Sequence, residues 1–111
     1  MRRISFYMTW ESIVDGTKTM TRRDWKPSYA ERWHKGDVFL PVSRLRVKEY
    51  ETDVVRILVA DPYWQLLRDM PDGDFEREGG ISHWRDKAEY IEAMGGESKG
   101  YYVIEFEKVT P

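Results

Sequence analysis

The segment Gly16-Thr17-Lys18-Thr19-Met20-Thr21-Arg22-Arg23 interleaves threonine hydroxyls with cations directly after a glycine. Glycine permits close backbone approach, so such a segment can present amides, hydroxyls and cations together to an anion or a carbonyl. It is not a phosphate-binding P-loop, because the Gly-x-x-x-x-Gly-Lys-Ser/Thr spacing is missing. A solvated edge strand would use the same residue types. Spacing alone therefore leaves a site and an ordinary strand both open.

The aromatic residues form a second group. Five Trp and seven Tyr are many for a chain of 111 residues, and aromatic rings are natural platforms for a nucleobase. Trp10 and Trp84 fall on apolar helical faces and are expected in the core. Trp25, amid Arg22, Arg23, Asp24 and Lys26, is the expected ligand contact. His34 and His83 stand alone, without partners at metal-ligand spacing, so surface or cap roles are expected and neither metal nor cofactor is implied. The absence of cysteine excludes zinc ribbons, thiol catalysis and disulfide scaffolds.

Several short elements must position these groups. Arg3 to Met8 reads as a first strand. Thr9 then caps a short helix through Trp10, Ile13 and Val14 that stops at Gly16, where glycine suits a left-handed residue. Thr17 to Arg23 alternates as a strand does. A loop with one helical turn, capped by Ser28, covers Trp25 to Trp33. After the Lys35-Gly36-Asp37 turn comes a strand, Val38 to Val42, whose Pro41 belongs at an edge or bulge. A charged strand over Arg44–Tyr50 and an apolar one over Val54–Ala60 follow, ended by Asp61-Pro62. Tyr63 to Arg68 is expected as a short helix and Met70 to Gly80 as a loop. Ser82 caps a helix carrying Trp84, Ala88, Ile91 and Met94. Tyr101 to Phe106 closes the chain as a strand. The expected fold is α+β, a small mixed barrel with two or three short helices, formed as one domain over residues 1–111.

Net charge is −2, but residues 1–50 carry a net +5 and residues 51–111 a net −7. A phosphate-binding face, if present, should come from the first half. The short apolar opening fits neither a signal peptide nor a membrane span, so a cytoplasmic protein is expected, as monomer or homodimer.

Gly-x-Lys-x-x-Thr-x-Arg over Gly16–Arg23, after a short amphipathic helix, resembles the signature of the ASCH family, relatives of the PUA-like RNA-binding barrels. Lys35-Gly36-Asp37-Val38 resembles the family's Gly-Asp turn. Glu78-Gly79-Gly80-Ile81-Ser82 resembles its acidic-glycine element, and Tyr102 to Phe106 its closing strand. The resemblance implies a pseudo-barrel with a cleft between the signature and the acidic loop, and recognition of RNA or a modified nucleoside. A bacterial branch of similar size hydrolyses the acetyl amide of N4-acetylcytidine. It implies Lys18 as essential lysine, Thr21 as nucleophile and Glu78 as acid, chosen over Asp74 and Glu76 in the same loop. Arg23, Arg22, Trp25, Gly16 and Thr19 would contact the ligand. A threonine is a poor nucleophile until a base takes its proton, and lysine serves only with a depressed pKa. Burial and the like charge of Arg23 would depress it, whereas an ion pair with Glu78 would keep Lys18 charged. A non-catalytic RNA-binding module and a metal-independent ribonuclease are the alternatives.

Overall fold

The computed structural model describes residues 1–43 and 55–109, so the expected strand over Arg44–Tyr50 lies outside the described residues. The architecture is a small α+β fold whose curled mixed sheet forms a half-barrel, with short helices around it. Its organising element is the last strand, β6 (Gly100–Lys108), where Val103, Ile104 and Phe106 are buried. Along one edge it pairs antiparallel with β2 (Met20–Arg23), Thr21 opposite Ile104. Its other edge takes β5 (Tyr63–Leu66) and then β4 (Arg56–Leu58). β4 passes the sheet on to β3 (Val38–Val42), and β3 pairs in parallel with β1 (Arg3–Ser5).

β1 and β2 are thus the two ends of the strand order, and the curl brings them near one another. Arg23 Nη2 donates to the Ser5 carbonyl at 2.5 Å, a side-chain stitch across the seam. Pro41 sits opposite Ile4, flanked by the bonds Leu40 N–H to Arg2 O and Phe6 N–H to Val42 O. In a parallel ladder alternate residues face the partner strand, so the missing proline N–H costs nothing on the β1 side. Its other side lies beyond Val38 and Phe39, which make the pairing to β4.

The helices are short. α1 (Trp10–Asp15) follows a 3-10 turn at Tyr7–Thr9, so the first strand ends at Ser5 rather than Met8. Thr9 occupies the position before α1, but its side chain makes no cap bond. Gly16 ends α1 at φ +83°, its amide donating to Ile13 O. α2 (Pro27–Ala30) begins with Pro27 in its first turn, and Lys26, not Ser28, precedes it. Proline's fixed φ and absent N–H suit a first turn whose amides have no intrahelical partner.

Three further expectations are corrected. Tyr63–Leu66 is a strand, not a helix, because its backbone pairs with β6, which outweighs a short ambiguous pattern. The loop expected from Met70 to Gly80 contains α3 (Asp72–Arg77), whose acids Asp72 and Asp74 open it and whose Arg77 closes it, in accord with the helix dipole. α4 (Lys87–Ala93) is capped by Asp86, whose Oδ1 accepts from Glu89 N at 2.8 Å; Ser82 instead ends a 3-10 turn at Gly80–Ser82. The expected short helices are thus present around the sheet, α1 to α4 among the described residues. No described helix is long and apolar enough to cross a membrane.

Inside the curl, Phe6, Phe39 and Phe106 pack ring to ring at 5.4 to 6.2 Å, with Trp33, Ile13, Leu58 and Ile104 around them. A second cluster of Leu67, Met70, Phe75 and Tyr90, with Tyr101 of β6 packed against it, joins α3 to α4. Phe39 touches Phe6, Phe106 and Trp33 and is fully buried, so Phe39→Ala leaves a cavity that its neighbours cannot close. It should cost about 3–5 kcal/mol, read as a lower urea midpoint with an unchanged slope.

Candidate functional site

A cleft of about 320 Å³ opens at the β1–β2 seam. Ser5 to Thr9 form one stretch of its wall and Lys18, Thr21, Arg22 and Arg23 another. Glu78, Trp84, Tyr90 and Met94 complete it. Each polar group reaches the cleft for a local reason. After Gly16 reverses the chain, Asp15 Oδ1 accepts from both the amide and the hydroxyl of Thr17, and Lys18 N–H donates to Ser12 O at 3.0 Å. The turn is thereby held, and the Lys18 side chain lies inside, only 4% exposed.

Lys18 Nζ donates to the Glu78 backbone carbonyl at 2.7 Å and lies 3.8 Å from Glu78 Oε2. Glu78, 1% exposed, sits at the C-terminal end of α3, its amide donating to Asp74 O. Tyr90 Oη donates to Glu78 Oε1 at 2.9 Å, and Arg22 Nη1 stands 3.7 Å from the same oxygen. Glu78 Oε2 is buried without a hydrogen-bond partner. Arg22 Nη2 is shared between Asp74 Oδ2 at 2.9 Å and Gln65 Oε1 at 2.6 Å. Thr21 Oγ1 accepts from Arg23 Nε at 3.0 Å, and the Arg23 guanidinium lies over the Phe6 ring at 4.8 Å.

Burial pushes the Lys18 amine down from 10.5 to about 8; the Glu78 carboxylate opposes the shift, while Arg23 and Arg22 add to it. Burial, followed by Glu78, pushes the Tyr90 phenol up, so Tyr90 remains a hydrogen-bond donor to the carboxylate. The two sequence-level alternatives for Lys18, a depressed amine and a partner of Glu78, thus operate together, with burial the larger influence. The site combines an amine that loses its proton only slightly above neutral pH, a hydroxyl held by a guanidinium, and a carboxylate oxygen awaiting a donor.

Lys18, Thr21, Arg22, Arg23 and Glu78 are all brought to this cleft. Of the other acids of that loop, Asp74 is bound to Arg22 and Glu76 is exposed. Gly16, Thr19 and Trp25 do not line it. Gly16 lies against the Lys108 side chain. Thr19 joins β2 to α3, its amide donating to Arg77 O at 2.8 Å and its hydroxyl accepting from Arg77 Nε at 3.0 Å. Trp25 stacks on Trp33 at 5.5 Å with its edge toward Tyr29, on the side of the main core. His83 pairs with buried Ser12 at 2.7 Å, bracing the Gly79-Gly80 segment against α1.

Tyr90, Tyr7 and Trp84 are among the cleft residues that sequence reasoning missed. Tyr90 shares an apolar helical face, and no local pattern announces a bond to a carboxylate twelve residues earlier. Compared with protein-family models, curated proteins and solved structures, the chain has no match.

The Lys18 shift sets a stability profile. Its folded pKa lies below its unfolded one, so between about pH 8 and 10.5 the unfolded chain holds more of its proton. Stability linked to Lys18 should therefore rise with pH across that window and be lost as pH falls through 8. Relative to Lys18→Met, wild type should gain of the order of 3 kcal/mol over the window, measured by urea unfolding at stepped pH.

Proposed function

We propose that the cleft binds an acylated pyrimidine nucleoside such as N4-acetylcytidine and hydrolyses its exocyclic acyl amide. The observation that carries this reading is Glu78 Oε2, buried, without a donor, and 3.8 Å from the Lys18 amine. A buried acceptor left unpaired costs about 1–3 kcal/mol, and an acylated exocyclic amine brings the N–H that would satisfy it. Retaining such a group in a cleft beside a perturbed amine is characteristic of sites that move protons.

In the reaction, neutral Lys18 accepts the Thr21 proton as Thr21 Oγ attacks the acyl carbon. Arg23, which stands beside the attacking Thr21 hydroxyl, stabilises the negative charge that develops on the acyl oxygen. The carbon–nitrogen bond then breaks, and the proton held by Lys18, relayed through Glu78, goes to the leaving amine. Water then hydrolyses the acyl ester on Thr21, releasing the carboxylic acid and returning the free hydroxyl. Lys18 and Thr21 share no hydrogen bond among the described residues, and catalytic contacts of this kind tighten when substrate is bound.

A nucleoside suits the cleft better than an RNA strand. Phosphate contacts need exposed, uncommitted cations. Lys18, Arg22 and Arg23, which help make the first half basic, are turned inward and bonded to protein groups. The volume is also at the low end of the roughly 300–1,000 Å³ of ligand pockets.

Purified protein incubated with N4-acetylcytidine should release cytidine, with kcat/KM rising with pH to a plateau above about 8 as Lys18 loses its proton. Lys18→Ala should lower kcat/KM by about 10²–10⁴-fold. No release by wild type, or an unimpaired Lys18→Ala, overturns hydrolysis.

A further inference from the structure

The polar floor of the cleft accounts for only part of its lining. Tyr7 and Met8, in the 3-10 turn after β1, also line it and are 69% and 79% exposed. From a separate element come Trp84 and Met94, which flank α4 and are half-buried. Single exposed apolar residues are ordinary on a protein surface. Two aromatics and two methionines converging on one cleft are not, and this is the composition of a site that takes a flat apolar group.

The Trp84 ring is also held. It meets the Tyr90 ring edge-on, 4.7 Å between centroids at 88°, and Tyr90 is the residue that fixes Glu78 Oε1. One phenol therefore supports both the indole at the wall and the carboxylate at the floor. A ring seated against Trp84 would lie in the cleft that Glu78 also lines. We propose that Tyr7 and Trp84 clasp a planar heteroaromatic ring, making them the specificity-determining residues of the cleft. The site then selects its ligand by the ring as well as by the amide bond. This rests on the nucleoside reading above and adds to it a requirement for the ring.

Binding should be measured by calorimetry in a Thr21→Val background, so that turnover does not intervene. The probes are N4-acetylcytidine and the open-chain amide N-acetylethanolamine. Tyr7→Leu and Trp84→Leu should each weaken N4-acetylcytidine binding by about fivefold or more, and Trp84→Phe should recover most of the loss. The open-chain amide should bind more weakly than the nucleoside and respond to neither substitution. Tyr7 is exposed, so its replacement tests the idea even if Trp84→Leu melts at a lower temperature. Equal nucleoside affinity in both leucine variants overturns the clasp while leaving the nucleoside reading standing. Equal affinity of the Thr21→Val parent for the two probes does the same. A parent that binds the open-chain amide but not N4-acetylcytidine overturns both.

Discussion

The structure depends on how it accommodates charge inside its seam. Lys18, Arg22, Asp74 and Glu78 are all buried, two cations against two carboxylates. Removing such groups from water costs several kcal/mol per ion unless each finds close partners. Arg22 finds them in Asp74 and Gln65, and Lys18 in the Glu78 carbonyl. Glu78 is satisfied on one oxygen only. Arg22 Nε is likewise buried without a hydrogen-bond partner, and a network short of partners is less stable than a complete one.

The same arrangement ties the site to the architecture. Arg23 bonds to Thr21 with one nitrogen and to Ser5 with another, so the group that polarises the hydroxyl also joins the ends of the curled sheet. Thr19 and Arg77 fasten α3 to β2, which fixes Glu78 relative to Lys18. The candidate site is not a loop laid on a finished scaffold, since its side chains close the scaffold.

Local chemistry explains what the sequence made readable. Gly16 as a helix stop, the Val38–Val42 strand and the closing strand rest on short-range signals, namely a left-handed residue and runs of β-branched and aromatic residues. Lys18, Thr21, Arg22 and Arg23 lie within six residues, and their grouping survives folding. What failed was settled at a distance. Tyr63–Leu66 became a strand because β6 offered it a partner, and Gly100 leaves room for the Trp64 ring where a Cβ would collide with it. The charged sequence neighbours of Trp25 suggest a ligand contact, yet its ring packs against Trp33 and Tyr29. Tyr90 and Trp84 acquire their positions only when α4 packs beside α3.

The position of β6 along the chain has a consequence for how the protein is made. β2, β4 and β5 all pair with it, and all precede it. On the ribosome, three strands emerge before the one that joins them, and their apolar faces wait in the interval. Such non-local pairing slows folding relative to helical proteins and lengthens exposure to aggregation. The cleft depends on the same event, because β2, which carries Thr21, Arg22 and Arg23, pairs with β6. Until residues 100–108 have left the exit tunnel, the nascent chain carries every side chain of the cleft but has no cleft.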